Sequence, residues 1–114
     1  MRIAMHRGDI HYERFIIKDP TGTYTDIDFD EIYFTVKKTP KDRPYLFQKV
    51  LSNGSIEKLD IGDYQLKIEP EDTNSLPYGR YVFDINIKYL DIIDESFVGI
   101  FDLLEEVTFA ENEV

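Results

Sequence analysis

The chain has 114 residues with 23 acids against 13 bases, a net charge of −10, 42% hydrophobic and 14% aromatic residues, and neither Cys nor Trp. That is enough apolar material for one domain with its own core, and the absence of Cys excludes disulfides, thiolate metal sites and cysteine nucleophiles. The acidity argues against nucleic acid and anionic membranes as partners, because the densest basic segment, Lys37, Lys38, Lys41 and Arg43, is a loop flanked by acids.

Met1 to Asp9 has no apolar core of a signal peptide, and no run approaches the ~18 apolar residues of a membrane span, so synthesis in the cytosol is expected. The first strand is read around Ile10 to Ile17. Ile10 and Tyr12 keep one phase while Phe15 and Ile17 keep the other, which predicts either a bulge near Glu13-Arg14 or burial on both faces. Lys18 to Gly22 closes it, with Pro20 and Gly22 as turn residues.

From Glu31 to Lys37, Ile32, Phe34 and Val36 alternate with Tyr33, Thr35 and Lys37, and a period of two is a strand. Tyr45 to Leu51 predicts another, ended by the Asn53-Gly54 tight turn. Tyr64, Leu66 and Ile68 alternate with Gln65, Lys67 and Glu69. Between Glu69 and Pro77, Pro70 and the acids beside it suit a short helical turn. The clearest strand is Arg80 to Tyr89, with Tyr81, Phe83, Ile85 and Ile87 on one face; Phe83, Ile85, Phe34 and Leu66 are expected in the core.

Glu95 to Leu104 fits a strand buried on both faces or a poor helix; its β-rich Phe-Val-Gly-Ile-Phe core, with Gly inside, favours the strand, continued by Val107-Thr108-Phe109. The result is an all-β protein, an antiparallel β-sandwich of six to seven strands with one helical turn near 70–76. It forms one domain over 1–109, followed by a frayed acidic tail at 110–114.

Asp26, Asp28 and Asp30 are the one candidate metal constellation, since alternating carboxylates resemble the start of a calcium loop. Glu31 stands where that loop needs Gly and Lys37 where it needs Glu, so a solvated strand face accounts for the spacing and no cofactor is expected. His6 and His11, the only histidines, lack a third ligand or a triad partner nearby. No glycine-rich phosphate loop is present, and the chain is short for a sugar cleft built around paired carboxylates.

That leaves contact surfaces. Tyr24, Tyr33, Tyr45 and Tyr78 are either interface residues or rings at the rim of the core with their hydroxyls in water. Phe97-Val98-Gly99-Ile100-Phe101 carries no charge, so it is either an inner strand or an edge that would accept another chain. Phe97, Val98, Ile100, Phe101, Tyr33 and Tyr45 are the interface candidates.

Three segments carry a resemblance. Gly8-Asp9 leads to Phe15-Ile16-Ile17-Lys18-Asp19-Pro20-Thr21-Gly22; Ile32 to Lys37 follows; then Leu66-Lys67-Ile68-Glu69-Pro70-Glu71-Asp72-Thr73 precedes Leu76-Pro77-Tyr78-Gly79-Arg80-Tyr81-Val82-Phe83-Asp84-Ile85. In this order they resemble the small immunoglobulin-like β-sandwich proteins encoded among phage and prophage tail genes, including the N-terminal domains of upper baseplate proteins. Asp26 to Asp30 replaces that family's usual apolar turn, and Ser96 to Phe109 lacks its usual final-strand ending. The resemblance implies a non-enzymatic tail or baseplate component, present in the virion if phage-derived, with itself or another tail protein as partner. A small carbohydrate- or calcium-binding module is the alternative.

Overall fold

A computed structural model describes residues 1–18, 21, 22, 28–90 and 92–105. The chain is mostly β, and the described residues form eight strands and one helical turn: β1 (Arg2–His6), β2 (His11–Ile16), β3 (Glu31–Lys37), β4 (Phe47–Val50), β5 (Ile56–Asp60), β6 (Asp63–Ile68), α1 (Pro70–Thr73), β7 (Gly79–Tyr89) and β8 (Ile92–Leu104). A curled five-stranded sheet has the order β1-β8-β7-β3-β4, and a three-stranded sheet has the order β2-β6-β5.

The core lies where the inward phases of the two sheets meet. Phe34, Ile85 and Leu66 are fully buried and Phe83 nearly so, as the alternation required. Phe34 packs on Phe83 at 5.1 Å between ring centroids and Phe47 on Phe101 at 5.8 Å, while Phe15 stacks on Tyr64 at 5.6 Å in the other sheet. Each such pair adds ~0.5–1.5 kcal/mol to what ring burial already supplies. At Gly99 the chain tolerates no side chain, since a Cβ there would stand 2.6 Å from Phe83 Cζ and 2.3 Å from the Met1 carbonyl.

Lys49 takes the inward phase of β4, where an apolar residue would be usual, and its ammonium pairs with the Asp72 carboxylate. Asp72 also accepts the Glu69 N–H at 2.7 Å, which starts α1 as a capping residue and ties the helical turn to the larger sheet.

Six expectations are corrected. Eight strands among the described residues replace six to seven, because β1 and β5 show no alternation long enough to predict a strand. Each is only five residues long and only partly apolar: β1 buries Ile3 and Met5, and β5 buries Ile56 alone. The larger sheet is not wholly antiparallel, since β1 runs parallel to β8, with Arg2 opposite Ile100 and His6 opposite Leu104.

β2 has neither a bulge nor two buried faces. Its register with β6 is unbroken, Ile10 and Tyr12 are exposed, and Phe15 alone in the strand reaches the core. Ile17 is buried just beyond the strand end, its N–H donating to the Gly62 carbonyl at 2.8 Å.

The strand expected from Tyr45 starts only at Phe47, and the helical turn closes at Thr73. Finally, the middle of β8 is buried on one face only: Phe101 and Leu103 are in the core while Val98 is exposed. Residues 106–114, which include the expected continuation Val107-Thr108-Phe109 and the tail, lie outside the described residues.

Candidate functional site

Three of the six interface candidates, Tyr33, Val98 and Ile100, share the outer face of the larger sheet. Because β7 turns Tyr81, Phe83, Ile85 and Ile87 inward, its even-numbered residues Val82, Asp84 and Lys88 face out. Register then puts Val98 opposite Asp84 and Ile100 opposite Val82, on the outer face of β8. A register shift after Ile85 takes up one extra residue on β8, so Ile93 joins Val98 on that same face, opposite Lys88. Without the shift, residues five apart would point to opposite sides. Val98 is 63% and Ile93 60% exposed.

Thr35, Lys37 and Pro40 complete a depression of about 480 Å³ with Val82, Val98 and Ile100. Isolated exposed apolar residues are ordinary, but a run along one strand beside a concavity is the usual form of a contact surface.

At the margin of this face, Asp102 stands between two guanidiniums. Arg2 Nε donates to it at 2.7 Å and Arg80 Nε at 2.9 Å, so three strands are laced together across their outer surface. Hydrogen bonds from Arg80 and then Arg2 hold its carboxyl at about 2, well below the usual carboxylate range.

The interface candidates divide between the two faces. Val98 and Ile100 are on the outer face, and Tyr33 joins them from β3, opposite Asn86. Phe97 is inward and half-buried against Phe15, while Phe101 is fully buried on Phe47; Phe101 is therefore corrected from interface candidate to core residue. Tyr45 is exposed in the 38–46 loop. Tyr78 is exposed nearby with the Arg7 guanidinium 4.2 Å from its ring centroid, and Tyr24 lies outside the described residues.

β7 pairs along β8 from Ile92 to Leu103, whereas β1 reaches only Ile100 to Leu104. Among the described residues no strand pairs with the other edge of Ile92–Gly99.

The acidic constellation is dispersed. Asp26 lies outside the described residues, Asp28 accepts from Lys58 Nζ at 3.1 Å, and Asp30 accepts the Leu90 N–H at 2.9 Å. Glu31 accepts the N–H groups of Ser52 and Ile32; burial pushes its pKa up, but these bonds outweigh it and leave it lowered. The His6 ring contacts the Glu105 carbonyl and His11 contacts Glu13, so the two histidines are engaged on separate strands. Among the described residues no three His, Asp or Glu side chains converge to hold a metal.

Sequence reasoning missed the Arg2–Asp102–Arg80 lacing, which depends on neighbours 22 and 100 residues apart. It also missed the hairpin tip at Leu90, where no Gly or Asn marks the turn. Compared with models of known protein families and with curated proteins, the chain has no match.

Proposed function

We propose that the chain is a non-enzymatic structural or assembly module of the kind encoded in phage and prophage tail regions, made in a bacterial cytosol and carried into the virion. Its scaffold in this reading is an immunoglobulin-like sandwich of variable type.

Strand order supports the scaffold. Taking β2 to β8 as B, C, C′, D, E, F and G, the two sheets read G-F-C-C′ and B-E-D, with β1 added beside G. The Tyr81 hydroxyl donates to the Pro77 carbonyl four residues upstream at 2.5 Å, as the tyrosine corner of such domains does at the start of strand F. Two residues on, where antibody domains carry a cysteine, stands Phe83, packed on Phe34 of the C-equivalent strand. An aromatic pair there fills the space of a disulfide and its tryptophan.

The observation that carries the function is the apolar patch Val82, Val98 and Ile100 on the outer face, beside the depression bounded by Thr35, Lys37 and Pro40. Desolvating it against another protein of the same assembly would release apolar surface at ~25 cal/mol per Å². Mass spectrometry of particles purified after prophage induction in the encoding organism tests the setting, and the chain should be a stoichiometric component. Val98→Asp should leave the melting temperature within a few degrees, since the site is exposed, and remove the chain from the particles. Particles that lack the wild-type chain, or that incorporate Val98→Asp normally, would refute the reading.

A further inference from the structure

The two ends of β7 differ in chemistry. At its start, Gly79 to Tyr81 form one wall of a cavity of about 260 Å³, with Leu46, Leu76 and Tyr78 as its apolar lining and Lys38 and Arg80 as its cations. Arg80 shares the Asp102 carboxylate with Arg2, so those three groups still carry one net positive charge, to which Lys38 adds.

At the far end of β7 the chain turns into β8 through Leu90, which is 69% exposed and the one non-glycine among the described residues with positive φ, 52°. A bulky residue in left-handed backbone is strained by roughly 1 kcal/mol, and Asn or Gly would relieve it. Stability and solubility both select against leucine there. The tip is anchored all the same: Asp30 accepts the Leu90 N–H at 2.9 Å, and Tyr89 packs edge-on against Phe29 at 6.4 Å. A fixed apolar knob therefore sits on an acidic base, with Asp91 next in sequence.

We infer that the Leu90 hairpin tip of one copy docks in the Leu46–Tyr78–Arg80 cavity of another, joining copies of this chain head to tail. Charge is complementary, with the Asp30 carboxylate behind the knob and the Lys38 and Arg80 cations around the cavity. Size agrees, since an apolar cavity of ~150 Å³ already accepts a benzene ring and this one is larger. The two parts cannot meet within one molecule: β7 has 11 residues, which at ~3.3 Å each separates them by roughly 30 Å. A contact between different patches repeats until it closes into a ring or extends as a filament.

This rests on the assembly reading above and names a second copy as partner. Sedimentation velocity of the full chain from micromolar to millimolar concentration tests it, with three samples. Wild type should form species beyond the dimer, weakened by high salt. Leu90→Asn, which suits the left-handed backbone and should melt no lower than wild type, is expected to be monomeric. Lys38→Glu with Leu46→Ser, both at exposed positions, should be monomeric too. Mixing the two variants should give dimers and nothing larger, because one intact knob and one intact cavity remain. A wild type monomeric at millimolar concentration, association that survives Leu90→Asn, or a mixture that stays monomeric would overturn self-docking. None of these outcomes touches the outer face, whose failure is read separately from Val98→Asp in particles.

Discussion

Gly99→Ala sets two opposed effects against each other at one atom. In a strand interior, alanine is favoured over glycine by about 0.5–1 kcal/mol because it restricts the unfolded chain. Against this, the new methyl would lie 2.6 and 2.7 Å from the Phe83 ring and 2.3 Å from the Met1 carbonyl, closer than any real contact. The Met1 carbonyl is held by the Ile100 N–H at 3.1 Å, and the Phe83 ring is held by Phe34 in a core without slack, so neither yields freely. Overpacking of this kind costs about 1–3 kcal/mol, so the net loss should be about 1–2 kcal/mol, a fall of roughly 4–8 °C in Tm.

Urea and thermal unfolding of four proteins separate the causes: wild type, Gly99→Ala, Phe83→Leu and the double variant. Phe83→Leu removes the ring edge that the methyl strikes, so Gly99→Ala should cost at least 1 kcal/mol less in that background, a coupling only residues in contact display. Equal costs in both backgrounds, or a stabilising Gly99→Ala, would refute the claim that Phe83 lies across Gly99.

Lys49→Met should cost about 2–3 kcal/mol by leaving the largely buried Asp72 carboxylate unpaired, and adding Asp72→Asn should recover most of it; chemical denaturation reads both. Asp102 titrates at about 2 in the folded chain against ~3.9 unfolded, so its contribution is present above about pH 4 and lost as pH falls through 2. Asp102→Asn should therefore melt below wild type at neutral pH, with the gap closing near pH 2; a gap independent of pH would contradict the Arg2–Asp102–Arg80 lacing. Melts in EDTA and in millimolar Ca²⁺ should agree within about 2 °C, whereas a rise above ~5 °C would reveal linked binding, with Asp26, Asp28 and Asp30 as first suspects.

What the sequence determined by itself was the inward face of each strand with a clean period of two. Ile32, Phe34 and Val36, Tyr64 to Ile68, and Tyr81 to Ile87 all lie where alternation put them, since one slip would expose a whole apolar row. The helical turn at Pro70 was equally legible, because capping and a first-turn proline are local effects.

Tertiary structure decided what depends on a neighbour distant in sequence. In Phe97 to Phe101 every residue but Gly99 is apolar, so no alternation distinguishes its faces. The phase emerges only when Gly99 passes under Phe83 and pairing with β7 sets Val98 opposite Asp84, outward, and Phe101 opposite Tyr81, inward. β1 and β5 are too short to declare themselves, and each exists because a partner strand offers hydrogen bonds along its edge. The outer-face strip, the shared Asp102 and the separation of knob from cavity along β7 all follow from strand pairing. Local alternation tells a residue which way to point, while the identity of the next strand comes from closing loops around a common core.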